Sequence, residues 1–322
     1  MCQPVPMHIF KTISLVAIAI SILSIAIHAS PFPAPEAISE YVPLSDRVFP
    51  EADYIKHETL HKRSSTGYND WGCRVSAKKP NPIVFVHGLG SNGLENWQYF
   101  GPRFALAGYC TFTITYGQYK NIPLLAGLDK MENSAAQLST FVDRVLAQSN
   151  STQVFLVGHS EGSMMPRYYL RYLGGQSKVA KYAAIGSIVY GTSLYNLVPF
   201  LTGLGLYDPI KKIVDPLCLS CFQVLQDSPF LKDLNEGGDT VPGVEYHYIV
   251  SKYDELVTPY TNGFLKDVAT NPKAANVELQ ALCPVNVEGH ISQMFSALAF
   301  NSIRAFFDKS LNQNINCLDS LW

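Results

Sequence analysis

The pentapeptide Gly158-His159-Ser160-Glu161-Gly162 has the residue types and spacing of a nucleophile held at a sharp turn. It follows the apolar run Val154-Phe-Leu-Val157 and precedes a helical segment from Met164 to Leu173. In strand-turn-helix context the chain bends so tightly that side chains two residues either side of the serine would collide, which leaves glycine there. The serine hydroxyl is then exposed on a strained backbone at a strand end. A hydroxyl is a weak nucleophile until a base takes its proton. After Arg63 the chain holds four histidines, His87, His159, His247 and His290. His159 adjoins Ser160, where a tight turn is expected to send neighbouring side chains apart. His247 lies inside a strand-like run, and His87 ends the first strand in a loop with another task. His290, in Val287-Glu-Gly-His290 between the last strand and the final helix, remains as the base.

A catalytic imidazole needs a carboxylate to fix its tautomer. Asp254 stands just beyond the strand ending at Val250, before Pro259, and is the candidate; Glu255 competes with it and Asp239 is more remote. Negative charge on a tetrahedral intermediate needs preorganised donors. The backbone N–H groups of Glu161, at the helix start, and of Leu89, in Val86-His-Gly-Leu-Gly90 after the first strand, are placed to supply them. The chain order Ser160, Asp254, His290 is that of α/β-hydrolases and differs from that of chymotrypsin-like or subtilisin-like folds.

Elements to position these residues follow from hydrophobic pattern. Ile83–His87, Cys110–Tyr116, Val154–Val157, Ala183–Tyr190, Val244–Val250 and Val277–Leu279 read as strands, largely apolar. Leu128, Met131, Ala135, Leu138, Val142 and Val145 recur every three or four residues along a long helix, and a last helix is expected from Ile291 to Phe307. Alternating strands and helices predict a mostly parallel sheet covered on both faces. Residues 193–241 are too long for an ordinary connection and too apolar for a solvated loop, so a helical cap is expected there.

The chain has 322 residues, 47% of them hydrophobic and 16% charged, with a net charge of −2. Beyond Arg63, 19 of its 24 basic and 20 of its 26 acidic residues remain, which gives no basic footprint for nucleic acid. Residues 1–29, with Lys11 and the apolar run Ile13–Ile27, read as a secretory signal peptide; about 15 residues is short for a membrane span. Residues 30–63 end in His61-Lys-Arg63 and read as a propeptide or a disordered arm, leaving 64–322 as the catalytic domain. Cys73, Cys110, Cys218, Cys221, Cys283 and Cys317 then remain, an even number that suggests three disulfides among 15 possible connectivities in an exported protein. Cys218-Leu-Ser-Cys221 lacks a second pair at metal-ligand spacing, so no metal and no cofactor is expected. Asn150-Ser-Thr152 is a glycosylation sequon.

From about Tyr68 to Ser310 the chain resembles the secreted triacylglycerol lipases called class 2 lipases, of actinomycetes and fungi. The resemblance rests on Asn69-Asp-Trp-Gly-Cys73, Val86-His-Gly-Leu-Gly90, Asn96-Trp97, Gly108-Tyr-Cys110, Gly158-His-Ser-Glu-Gly162, Met165-Pro-Arg-Tyr-Tyr-Leu170, Lys252-Tyr-Asp-Glu-Leu-Val-Thr-Pro-Tyr260 and Glu288-Gly-His290. It implies hydrolysis of acylglycerol esters by Ser160, Asp254 and His290 and a disulfide joining Cys73 to Cys110. It further implies Cys218 or Cys221 pairing with Cys283, and leaves Cys317 unassigned. A monomer acting on a lipid or other ester at a lipid–water interface, without stable membrane insertion, is expected. A carboxylesterase, polyester hydrolase or acyltransferase with the same triad, or an inactive binding module, are the alternatives. The family usually has Gln where this chain has Glu161. A carboxylate there would oppose the developing oxyanion, so Glu161 is expected to point away and meet a donor elsewhere.

Overall fold

The structure, a computed structural model, describes residues 68–118, 125–308 and 315–320. All of these fall in the compact unit Glu58–Trp322. The signal peptide and arm expected over residues 1–29 and 30–63 lie outside the described residues.

Six strands, β1 (Ile83–Val86), β2 (Thr111–Ile114), β3 (Val154–His159), β4 (Val179–Ile185), β5 (Glu245–Val250) and β6 (Ala274–Glu278), form one parallel sheet in the order β2-β1-β3-β4-β5-β6. Strands β1, β2 and β3 are buried along their whole length, as strands covered on both faces must be, whereas edge strand β6 is partly exposed. Helices α1 (Gly93–Trp97) and α2 (Phe100–Leu106) lie between β1 and β2, α3 (Met131–Ser149) between β2 and β3, and α4 (Met165–Tyr172) between β3 and β4. Between β4 and β5 stand α5 (Leu197–Gly203), α6 (Tyr207–Val214) and α7 (Pro229–Asn235); α8 (Leu279–Leu282) and α9 (Ala297–Phe307) follow β6. One face of the sheet packs Phe85, Trp97, Phe100, Phe104, Phe155 and Phe300 into an aromatic cluster. Each such ring stabilises the fold by about 1.5–3 kcal/mol on burial.

The chain leaves β1 to one side for β2 and returns on the other side as β3. The carboxyl ends of β1 and β3 therefore flank a topological switch point, where open α/β sheets place their ligand crevice.

Two local expectations shift. Strand β4 begins earlier and ends at Ile185, because Gly186, at φ +51°, turns the chain out of the sheet. Lys181 fits inside it by laying its stem along the sheet and donating its ammonium to Phe306 O at 2.6 Å. The last helix is interrupted: a 3-10 turn covers Ser292–Phe295, and α9 starts afresh where the Ser296 side chain accepts the Ala299 N–H at 3.0 Å.

The cysteines pair as Cys73–Cys110, Cys218–Cys221 and Cys283–Cys317. The first matches expectation. The pairing of Cys218 or Cys221 with Cys283 does not occur. Cys218 and Cys221 sit 5.4 Å apart (Cα–Cα) across one turn. Cys283, buried in the aromatic cluster, instead meets the returning tail at Cys317, 4.6 Å away.

Candidate active site

Ser160 stands at the carboxyl end of β3 with φ +56°, a left-handed conformation that costs a non-glycine residue about 1–2 kcal/mol. The glycines are required as the spacing predicts. A Cβ on Gly158 would lie 1.8 Å from Gly162 O, and one on Gly162 would lie 2.2 Å from Val86 O. Both obstacles are backbone and cannot swing aside. The turn is held from beneath by tyrosine hydroxyls on the sheet: Tyr182 donates to Gly162 O at 2.7 Å and Tyr248 to Ser163 O at 3.0 Å. Ser163 Oγ donates to Ser160 O at 2.6 Å. Sequence periodicity gives no sign of these tyrosines, because their apolar rings read simply as strand.

His290 and Asp254 come together. The His290 ring donates from Nδ1 to Asp254 Oδ2 at 2.8 Å, with both side chains buried. Asp254 Oδ1 accepts the N–H groups of Leu256 (3.0 Å) and Val257 (2.7 Å), so the carboxylate is anchored on its far side. Glu255, the rival acid, accepts the backbone N–H of His290 at 2.8 Å. Its carboxyl occupies the space beside Gly289, where a Cβ would lie 2.2 Å from Oε2. Adjacent acids thus hold the ring and the backbone of one histidine. Asp239 lies in a different network, accepting the Tyr190 hydroxyl at 2.6 Å and pairing with Arg167 at 3.5 Å. Two further residues frame His290. Gly186 leaves room for the ring, which a Cβ there would approach to 3.1 Å. Gln293 accepts the Gly186 N–H at 3.0 Å and donates to Gly289 O at 3.3 Å.

His159 does not diverge from the site. Its ring centroid is 4.9 Å from that of His290, and the ring lies between Asn96 Oδ1 (3.0 Å) and the His290 backbone carbonyl (3.2 Å). Burial drives its pKa well below the usual histidine range, so the ring is neutral. His159 thereby ties the residue preceding Ser160 to His290. The hydrogen bonds among the described residues do not include one from the Ser160 hydroxyl to the His290 ring; such contacts tighten when substrate binds.

The loop after β1 packs on the serine. A Cβ on Gly88 would lie 2.9 Å from Ser160 Cβ, and Asn96 Oδ1 accepts the Gly88 N–H at 3.0 Å. Leu89 follows, with its side chain partly exposed. His87 has the separate task expected: Nε2 accepts the Tyr116 N–H at 3.2 Å, Nδ1 donates to Gly88 O at 2.8 Å, and the ring stacks on Tyr116. Burial pushes its pKa down to about 4. His247 likewise serves the core, meeting Ser302 Oγ at 2.8 Å and stacking on Phe306, with its pKa pushed down to about 4 by burial and then by Lys181.

The Glu161 side chain faces the hydroxyls of Ser220 and Tyr116. Its carboxyl is sealed beside Tyr116, Ser220 and Gly127, and neither oxygen accepts a hydrogen bond from the described residues. Burial pushes its pKa up to about 8, so the carboxyl is neutral at neutral pH. No group of three or more His, Cys, Asp or Glu among the described residues is arranged to hold a metal ion.

Solved structures share this fold. Aspergillus fumigatus lipase B is 19% identical with a TM-score of 0.57, over 89% of this chain and 68% of that one. Mature lipase BlEst2 of Bacillus licheniformis is 17% identical with a TM-score of 0.51, over 72% of this chain and 93% of that one. The architecture is the α/β-hydrolase fold. A family model described as lipase (class 2) matches residues 80–290, more than half the chain and every residue from β1 to His290. The chain belongs to the class 2 lipases.

Proposed function

We propose that the protein is a secreted serine hydrolase that cleaves the carboxylic esters of acylglycerols. The observation that carries this reading is a serine on a left-handed turn at the sheet's switch point, next in the chain to His159, whose ring packs at 4.9 Å on that of His290 in a buried, hydrogen-bonded His290–Asp254 pair. Ser160 Oγ attacks the ester carbonyl while His290 takes its proton at Nε2. The Leu89 and Glu161 N–H groups receive the oxyanion, and each such donor contributes about 3–4 kcal/mol to the transition state. The imidazolium, held by Asp254, returns the proton to the departing alcohol. Water then attacks the acyl-enzyme along the same route, and Ser160 is restored.

The choice of a lipid ester draws on the surface. In residues 193–241, read as a cap, Leu197, Phe200, Leu204, Leu206 and Ile213 are exposed, Phe200 at 62% and Ile213 at 65%. On either side of His290 in the chain, Val285, Val287 and Phe295 are exposed as well. Exposed apolar side chains concentrated in these segments favour contact with acyl chains over contact with water. Export fits the three disulfides, which persist in oxidising compartments. It also fits the exposed position of Asn150, where a glycan would meet no core. Among the described residues no helix is long and apolar enough to cross a membrane.

Hydrolysis of a triglyceride series, from short soluble chains to long ones above their solubility limit, tests the substrate class. A lipase gains rate once long-chain substrate forms a separate phase. Activity confined to dissolved short-chain esters would make the protein a carboxylesterase instead.

A further inference from the structure

The mechanism uses only the backbone of Glu161, yet its side chain is the fully buried acid nearest the nucleophile in sequence. Its surroundings form a continuous strap. Gly90 N–H donates to Ala126 O at 2.8 Å and Ala126 N–H to Ser91 O at 3.1 Å, which joins the loop after β1 to residues 126–128. That strap is bonded to the end of β2, from Gly127 N–H to Tyr116 O at 2.8 Å and from Leu128 N–H to Gly117 O at 2.9 Å. It is also bonded to the β4–β5 segment, through Leu219 N–H to Leu128 O at 2.7 Å and Ser220 Oγ to Gly127 O at 2.5 Å. The Glu161 carboxyl lies directly beneath: a Cβ on Gly127 would stand 3.2 Å from Leu89 Cα on one side and 3.4 Å from Glu161 Oε1 on the other.

The hydroxyls facing this carboxyl are those of Ser220 and Tyr116. Each has one proton, and both are committed elsewhere, Ser220 to Gly127 O and Tyr116 to His87 O at 2.7 Å. With those protons so placed, both hydroxyls are left to accept from Glu161. An ionised carboxylate facing lone pairs is repelled, whereas a carboxylic acid carries a donor to offer them. No ion pair to Glu161 forms among the described residues.

We propose that Glu161 is a positioning residue: its un-ionised carboxyl donates to Ser220 or Tyr116, locks the 126–128 strap between the cap and the loop bearing Leu89, and so holds the oxyanion donors in place. This inference rests on the hydrolase reading above. Loss of the proton removes the donor that Glu161 itself brings to the pocket and sets a negative charge beside a site where negative charge must develop. The other titratable groups facing the pocket do not compete. Burial holds the Tyr116 phenol above its usual range and His87 stays neutral. Near the strap, Asp129 is engaged by the Lys130 N–H and Asn133, and Glu132 by Gln223. Burial places the Glu161 transition at about 8.

The test is the pH dependence of kcat and KM on a soluble short-chain ester for the wild type, E161Q and E161L, with infrared spectra of the full chain. In the wild type kcat is expected to fall on the alkaline side with a midpoint near 8. E161Q, which brings its own N–H donors, is expected to turn over and to lose that alkaline limb. E161L, with no donor, is expected to lose about tenfold in kcat at every pH, the scale of a small misplacement of catalytic groups. The infrared carbonyl band of a protonated carboxylic acid, present at neutral pH in the wild type and absent in E161Q, reads the proton without relying on activity. An unchanged alkaline limb in E161Q, or no acid band in the wild type, overturns the proposal. If E161Q does not fold, the wild-type band decides alone: it must disappear along the same pH course as kcat. An acid band in a protein that never reacts with a serine-directed phosphonate would instead sink the hydrolase reading and leave the buried acid as a structural feature.

Discussion

Replacing Asp254 with Asn tests which of two neighbouring acids serves the imidazole. Asp254 accepts three hydrogen bonds: His290 Nδ1–H at 2.8 Å on Oδ2, and the N–H groups of Leu256 and Val257 on Oδ1. The two backbone donors fix the amide orientation in D254N, with Oδ1 kept for them and the NH2 placed where Oδ2 was. That NH2 presents a hydrogen to His290 Nδ1. The ring must then hold its proton on Nε2, which leaves no lone pair to accept the Ser160 proton. A wrong tautomer of this kind costs about 10⁴ in kcat in an unrelated serine protease triad, or about 5 kcal/mol at 1.36 kcal/mol per decade. E255Q should behave differently. Its amide oxygen can still accept the His290 backbone N–H. Only the charge is lost, so a loss of no more than about tenfold is expected, the scale of one hydrogen bond to a charged group. The assay is steady-state hydrolysis of a soluble ester, with circular dichroism to confirm folding. If E255Q shows the large loss and D254N the small one, the geometric reasoning is wrong.

Two further predictions concern stability. S160G should be about 1 kcal/mol more stable than S160A while both are inactive, because only glycine relieves the left-handed strain at φ +56°; equal urea midpoints would contradict this. His247 is neutral in the fold, with its pKa pushed down to about 4. Its unfolded form takes up a proton nearer the ordinary value of about 6.5, so stability present above that pH is lost as pH falls towards 4. At about pH 4.5 this amounts to roughly 2–3 kcal/mol, and H247Q, which can still meet Ser302, should show a correspondingly smaller acid-side loss in urea titrations. A loss identical to that of the wild type would mean the ring is not the group titrating.

Much of the architecture was legible because the governing features are local. The apolar runs at Ile83 and Val154 could be covered only in a parallel sheet, and the glycines at 158 and 162 announced a turn whose collisions the structure now measures. Features set by distant contacts were not legible. Cys283, just past α8, pairs with Cys317 at a sequence separation of 34, which no spacing rule reveals. Glu255 holds a backbone amide 35 residues away, and sequence could rank it only as a rival to Asp254. The β4 boundary was misread because Ile188, Val189 and Tyr190 are as apolar as a strand; the turn at Gly186 depends on a positive φ that its neighbours do not signal. Glu161 looked like a charge because its burial is created by Tyr116 and Ser220, on two other segments.

The most direct test of the account is covalent labelling with a serine-directed phosphonate, followed by peptide mass mapping. The account predicts one adduct, on Ser160, absent from S160A and formed far more slowly in H290A. A folded protein that takes up no phosphonate, or carries it on another serine at undiminished rate in S160A, would contradict it.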